Sequence, residues 1–305
     1  MNPPLRGSLT PLVTPFRDGD VDFVAFDALV ERQVTGGSHG VTIAGTTGEP
    51  ASLSLDEREA LFERAVAGMA GRGAVLAGTG TNELPGTLRL TRSAARAGAT
   101  AALVVVPYFV NPDQGGLEDW YRRIADASEI PVILYDIPGR SGVAISLETT
   151  VALAAHDNIV GVKLARPDLV HASQVIAACG PDFGVYSGVE ALCYPLLALG
   201  GSGHVSATGN LFPHELARMA DAAFAGDLAS ARAIHFDLLE VNEAIFFSTN
   251  PIPIKAMLAL AGVATAEVRP PLRPASAELV ARLEPILARR GVSPAALTSS
   301  STRGK

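Results

Sequence analysis

Eight short apolar runs, each followed by a stretch of helical periodicity, succeed one another between Leu9 and Ala225. The runs are Leu9–Thr14, Gly40–Ala44, Ala74–Gly78, Ala101–Val106, Pro131–Tyr135, Ile159–Lys163, Phe183–Ser187 and Gly203–Ala207. Each is too short for a helix and nearly continuous in apolar character, as expected of a strand buried on both faces. The intervening stretches carry helix signals, such as the capping box formed by Ser54 and Glu57 three residues later. Strands that alternate with helices make a parallel sheet. Eight such units predict an α/β chain folded as a (β/α)8 TIM barrel. An open doubly wound sheet is the competing architecture, but its dinucleotide fingerprint is missing, because Gly78-Thr79-Gly80 is followed by Glu83 where a third glycine would sit.

Beyond Ala225 the pattern changes to helices alone: Leu228–Phe247, Pro253–Ala261 and Ser276–Arg290, punctuated by Pro251, Pro253, Pro270, Pro271 and Pro274. The expected organisation is a catalytic barrel over residues 1–225, a C-terminal helical extension over 226–297 and a disordered polar tail over 298–305. Apolar residues make up 48% of the 305 and charged residues 18%, which supports a substantial core. A net charge of −7 without a basic block argues against nucleic acid. The longest apolar run cannot span a bilayer, and no charged n-region precedes an apolar segment at the N-terminus. These features predict a cytoplasmic protein without a membrane partner. Cys179 and Cys193 read as small core residues. The six histidines have no metal-ligand spacing and read as surface or helix-end residues, so no metal site is expected.

In a barrel of this kind, chemistry collects where the strands end. The second run ends in Gly45-Thr46-Thr47-Gly48-Glu49, the fourth in Pro107-Tyr108-Phe109, the fifth in Tyr135 followed by Pro138 and Arg140, and the sixth in Lys163. The seventh ends in Ser187-Gly188 and the eighth passes through Val205. The chain has only three lysines, and Lys163 stands out because arginine supplies nearly all other positive charge. Arginine keeps its proton near neutral pH, whereas a desolvated lysine can attack a carbonyl. Lys305 lies in the tail and Lys255 in an apolar helical pattern outside the barrel units, which leaves Lys163 as the candidate amine. Tyr135 could move protons, the glycine-flanked Thr46 and Thr47 could admit a carboxylate, and Arg140 could grip a second one.

Gly45-Thr46-Thr47-Gly48-Glu49, Tyr135-x-x-Pro138-x-Arg140-x-Gly142 and Gly161-Val162-Lys163 together resemble the dihydrodipicolinate synthase and N-acetylneuraminate lyase family, in register from Gly7 to about Leu272. The resemblance implies a class I enzyme that binds pyruvate as an imine and joins it to, or releases it from, an aldehyde or 2-oxo acid. It implies no cofactor beyond the covalent imine through Lys163, and a homotetramer or homodimer. By matching positions, Lys163 resembles the Schiff-base lysine, Tyr135 the proton-transferring tyrosine and Thr46 the relay hydroxyl. Thr47, Gly188 and Val205 match positions around pyruvate. Arg140 matches the arginine that synthase members use for the carboxylate of an aldehyde such as aspartate semialdehyde. Arg140 and Thr46 place the chain nearer the synthase branch than the lyase branch.

Three departures qualify what the resemblance implies. Phe109, which has no hydroxyl, stands where the family has a second relay tyrosine, so that either Tyr108 substitutes or the relay is shortened. Leu164-Ala165-Arg166 and Ser187-Gly188-Val189-Glu190 differ from the usual synthase segments. Leu55 and Gly86 replace polar positions that bind feedback lysine in regulated members, so no lysine inhibition is expected. A catabolic aldolase of aromatic-acid degradation and a catalytically silent pyruvate-binding member are the alternative readings.

Overall fold

The computed structural model describes residues 5–292. Eight parallel strands close into a barrel. In chain order they are β1 (Gly7–Pro11), β2 (Gly40–Ile43), β3 (Ala74–Gly78), β4 (Ala101–Val105), β5 (Val132–Asp136), β6 (Ile159–Leu164), β7 (Gly184–Ser187) and β8 (Gly203–His204). Closure joins β1 to β2 on one side, with Leu9 opposite Gly40, and to β8 on the other, with Gly7 opposite Gly203. At that last seam the backbones approach closely. A Cβ on Gly203 would lie 2.2 Å from Gly7 O, so only glycine fits. The barrel that the alternation predicts is therefore the observed architecture, and the open sheet is excluded.

Alternation along the strands divides the side chains into two sets. Leu9, Leu76, Leu103, Ile133, Tyr186 and Val205 fill the barrel interior. Residues of opposite parity, such as Val104, Leu134 and Val162, pack outward against the helices. One irregularity breaks this parity. The register between β5 and β6 shifts after Val132, which faces Ile159, while Ile133 faces Gly161. The bulge leaves Val160 unmatched and brings Lys163 opposite Tyr135. Without the extra residue the interior set of β6 would continue from Val160 to Val162, and Lys163 would point toward the helices.

The connecting helices begin where side-chain caps satisfy their first amides. Ser54 and Glu57 complete the expected capping box at the helix Leu55–Met69, and Asp22, Asp113, Ser146 and Asp168 cap four others. After Phe224 the chain continues in helices only: Leu228–Asp237, Leu239–Ala244, Ile252–Leu260 and Ala277–Arg289. The single helix expected over Leu228–Phe247 is thus divided at Leu238. Leu238, Val241, Ile254, Met257 and Leu283 share one apolar cluster with Val13, Leu29 and Leu216 of the barrel units. The tail, residues 298–305, lies outside the described residues. No helix among those described is long and apolar enough to cross a membrane.

One histidine departs from the expected surface or helix-end placement: His204, on β8, is fully buried, whereas His171 and His235, though buried, lie in the end turns of their helices. Burial pushes the His204 imidazole down to about 4, which keeps it neutral inside the fold. Period-2 patterning cannot distinguish a neutral imidazole in a barrel wall from an exposed one. Cys193 is a buried core residue, as expected, whereas Cys179 is only half-buried.

Candidate active site

The strand ends at one rim of the barrel surround a cavity of about 350 Å³. Thr46, Tyr108, Tyr135 and Arg140 line it, together with Asn250 and Arg58. The register fixed by the bulge makes Tyr135 and Lys163 neighbours across β5 and β6. Lys163 is 4% exposed, and its Nζ lies 4.0 Å from the centroid of the Tyr135 ring. The Tyr135 hydroxyl meets Thr46 Oγ1 at 3.0 Å. Amine, phenol and threonine hydroxyl therefore form one contiguous set. An amine can add to a carbonyl here, with two exchangeable hydroxyl protons in line beside it.

Thr46 owes its place to local geometry. After β2 the chain turns through a single 3-10 turn, Thr46–Gly48, whose flanking residues Ala44 and Glu49 both have left-handed backbone, with φ of 53° and 55°. Thr47 lies in the same turn and is buried, and its Oγ1 accepts from Asn250 Nδ2 at 3.0 Å. Gly188 follows β7 directly beside the lysine. A Cβ there would lie 2.7 Å from Lys163 Cε and 3.0 Å from Ala165 Cβ. Gly188→Ala is accordingly expected to keep the fold and push the lysine aside, because the obstructed atom belongs to a flexible side chain. A displacement of about 1 Å at a reacting group costs on the order of 100-fold in rate. The rate of borohydride-trapped imine formation, compared with a melting curve, checks this expectation. Val205 lies just past β8 in the interior cluster that includes Tyr135.

Arg140 is carried by a one-turn helix, Pro138–Ser141, immediately after β5. It is exposed toward the mouth, and its Nη2 donates to Asn250 O at 3.0 Å. Asp136 holds the loop behind this turn by accepting from Ile145 N at 3.2 Å. Burial raises the Asp136 carboxyl to about 6, and the nearby Arg166 opposes that rise. Arg166, one of the departures in the sequence, thus faces the outer side of β5. Arg58 is 5% exposed, and its Nη2 donates to Pro50 O. Arg269 also stands in the wall but is ion-paired with Glu57, so Arg58 and Arg140 supply the positive charge that favours an anion in the cavity.

Tyr108 and Phe109 part company at the mouth. Tyr108 lines the cavity, whereas Phe109 is 91% exposed with φ of 77°. Lys255, set aside as an amine, is 1% exposed and ion-paired with Glu49. The sequence reading assigned no task to Asn250, Glu49 or Arg58. For Asn250 a signal existed, since it is a lone amide residue ahead of Pro251 and Pro253 at a helix start. Glu190, within another departure, is buried with Oε1 accepting from Ala207 N at 2.8 Å, and burial raises its carboxyl.

Comparison with known proteins points to one family. The family model described as the dihydrodipicolinate synthetase family matches residues 4–290. The 4-hydroxy-tetrahydrodipicolinate synthase of Thermus thermophilus is 46% identical over 291 residues, which is 95% of this chain and 97% of that protein. The crystal structure of dihydrodipicolinate synthase from Aquifex aeolicus superposes with a TM-score of 0.92 at 38% identity, covering 94% of this chain and 99% of that one. The chloride-inhibited dihydrodipicolinate synthase from Acinetobacter baumannii, complexed with pyruvate, gives a TM-score of 0.92 at 35% identity over 94% of this chain and 99% of that one.

Proposed function

The chain belongs to the dihydrodipicolinate synthetase family, and from that membership we propose that it condenses pyruvate with a carboxylated aldehyde, aspartate semialdehyde being the substrate that best suits the site. The observation that carries this reading is the Lys163–Tyr135–Thr46 set at the barrel rim. Lys163 Nζ adds to the C2 carbonyl of pyruvate, and loss of water leaves a protonated imine. The imine draws electrons from C3, a C3 proton departs, and an enamine forms. Its C3 attacks the aldehyde carbon and makes the new carbon–carbon bond. The Tyr135 and Thr46 hydroxyls carry protons to and from these centres, and Tyr108 extends the hydroxyl lining toward the mouth. Release follows when water, or the amine of the product itself, adds to the imine carbon and expels the Lys163 amine, leaving a carbonyl or a new imine in its place. The imine serves as the electron sink, so the reading requires no separate cofactor.

The pyruvate carboxylate fits the Thr46-Thr47 turn, with Gly188 and Val205 flanking the bound acid. Arg140 then addresses the carboxylate of the aldehyde. Arg140→Ala is expected to raise the KM for that aldehyde roughly ten- to a hundredfold, the range for a charged hydrogen-bonded contact. Pyruvate trapping at Lys163 should stay as it is in the wild type. A pyruvate-consumption assay over a panel of aldehydes, run beside borohydride trapping, tests both statements. An unaltered KM for every carboxylated aldehyde would remove Arg140 from this role. A catabolic direction has less support, because the arginine-rich wall suits two acidic substrates and the matched relatives carry the synthase name. The reading is of a cytoplasmic homo-oligomer, a homotetramer or homodimer, for which the exposed Phe109 and Val110 supply apolar contact surface.

A further inference from the structure

Lys255 takes no part in the chemistry above, yet it is among the most deeply buried side chains of the molecule. It lies on the helix Ile252–Leu260, donates from Nζ to Glu267 O at 2.7 Å and pairs with Glu49 Oε1. The other oxygen of Glu49 accepts from Arg269 N at 3.1 Å. Phe16 receives both cations on its ring, with Lys255 Nζ 4.1 Å and Arg269 Cζ 4.5 Å from the centroid. The ammonium thus meets a carboxylate, a carbonyl and a ring face at once.

The target of this pair is specific. Glu49 ends the Thr46–Gly48 turn in left-handed backbone, and Ala44 precedes it in the same region. Non-glycine residues are disfavoured there and persist where their surroundings over-determine them. For Glu49 those surroundings are Lys255 and the Arg269 amide. Thr14 Oγ1 adds a hold on Gly48 O at 2.7 Å, and Asn250, five residues before Lys255, holds the Thr47 hydroxyl. A pair that served only to dock the helix could sit anywhere along the large apolar contact between helix and barrel. This one is fastened to the single turn that presents Thr46 to the cavity.

We propose that Lys255, acting through Glu49, is a positioning residue for the Thr46-Thr47 turn and thereby sets the affinity of the site for the 2-oxo acid carboxylate. The inference rests on the pyruvate reading above. The test compares wild type, Lys255→Met, Glu49→Gln and the double variant. Trapped Lys163 adduct is followed against pyruvate concentration, with steady-state constants for both substrates and a melting curve for each protein. Lys255→Met should raise the half-saturating pyruvate concentration tenfold or more and change the aldehyde KM less than threefold. Glu49→Gln should shift pyruvate in the same direction. The double variant should stay within threefold of Lys255→Met, because the two residues act through one contact. If Lys255→Met does not fold, the near-isosteric Glu49→Gln carries the same readout. A folded variant whose pyruvate half-saturation is within twofold of wild type overturns the proposal, as does a double variant whose effects simply multiply. A wild type that traps no pyruvate defeats the functional reading and this one with it. A trapping wild type beside an unmoved variant defeats this one alone.

Discussion

Lys163→Ala is expected to abolish turnover, lowering kcat by a factor on the order of 10⁴ or more, the scale of losing a covalent nucleophile. Among the described residues no other amine can step in. Lys255 is held by Glu49 and the Glu267 carbonyl on the far side of the Thr46–Gly48 turn. The protein should remain folded, because the change removes a buried side chain that makes no ion pair among the described residues, instead of stranding a partner. The cavity should still admit pyruvate, since Thr46 and Thr47 are untouched. The measurement is mass analysis after borohydride and pyruvate, with a melting curve beside it. The wild type should gain the reduced pyruvate adduct on the peptide that holds Lys163, and the variant should gain none. Lys163→Arg should be equally inactive, which separates the loss of the nucleophile from the loss of charge. An adduct on any other residue would move the chemistry away from β6.

Tyr135→Phe is expected to lower kcat by about 10² to 10³, within the range for one positioned proton-transfer group. The substitution is clean, because the ring keeps its place over Lys163 Nζ and only the hydroxyl facing Thr46 Oγ1 is lost. Imine formation should slow, and so should the carbon–carbon step. With pyruvate alone, the adduct should still accumulate given time, which distinguishes this variant from Lys163→Ala. Thr46→Val should fall between Tyr135→Phe and wild type, because it removes the second hydroxyl of the pair and leaves the first. If Tyr135→Phe retains wild-type rates, the proton path runs elsewhere, and Tyr108 becomes the group to examine.

Much of the architecture could be read from local pattern, and the reason is physical. Strands buried on both faces show themselves as short apolar runs, and the run ending in Lys163 was placed within one residue of β6. Ends set by tertiary pairing were less visible. The eighth run extends to Ala207, but β8 stops at His204 because its partner residues in β1 and β7 end there, at Ser8 and Ser187. The bulge at Val160 leaves no trace in hydropathy, although it decides which way Lys163 points. Lys255 showed only as a lysine in an apolar helical pattern outside the barrel units, since its partner Glu49 lies more than 200 positions earlier in the chain. Asn250 is hidden for the same reason, as its contact with Thr47 spans 203 positions. Residues within the sequence motifs were legible even where, as with Thr46 and Tyr135, 89 positions separate them, whereas Lys255 and Asn250 lie outside those motifs and were not.

The seam between β1 and β8 bears on how the chain is made. Gly7 pairs with Gly203, so the first strand waits for almost two hundred further residues before its second edge is covered. At typical synthesis rates of 5–20 residues per second, that interval is roughly 10 to 40 s. Throughout it the growing sheet presents a bare, apolar β1 edge to every other nascent chain. The finished barrel has no such edge. Its vulnerability to aggregation is therefore confined to birth and refolding, and substitutions that weaken the seam should show as poor yield in the cell sooner than as a lower melting temperature.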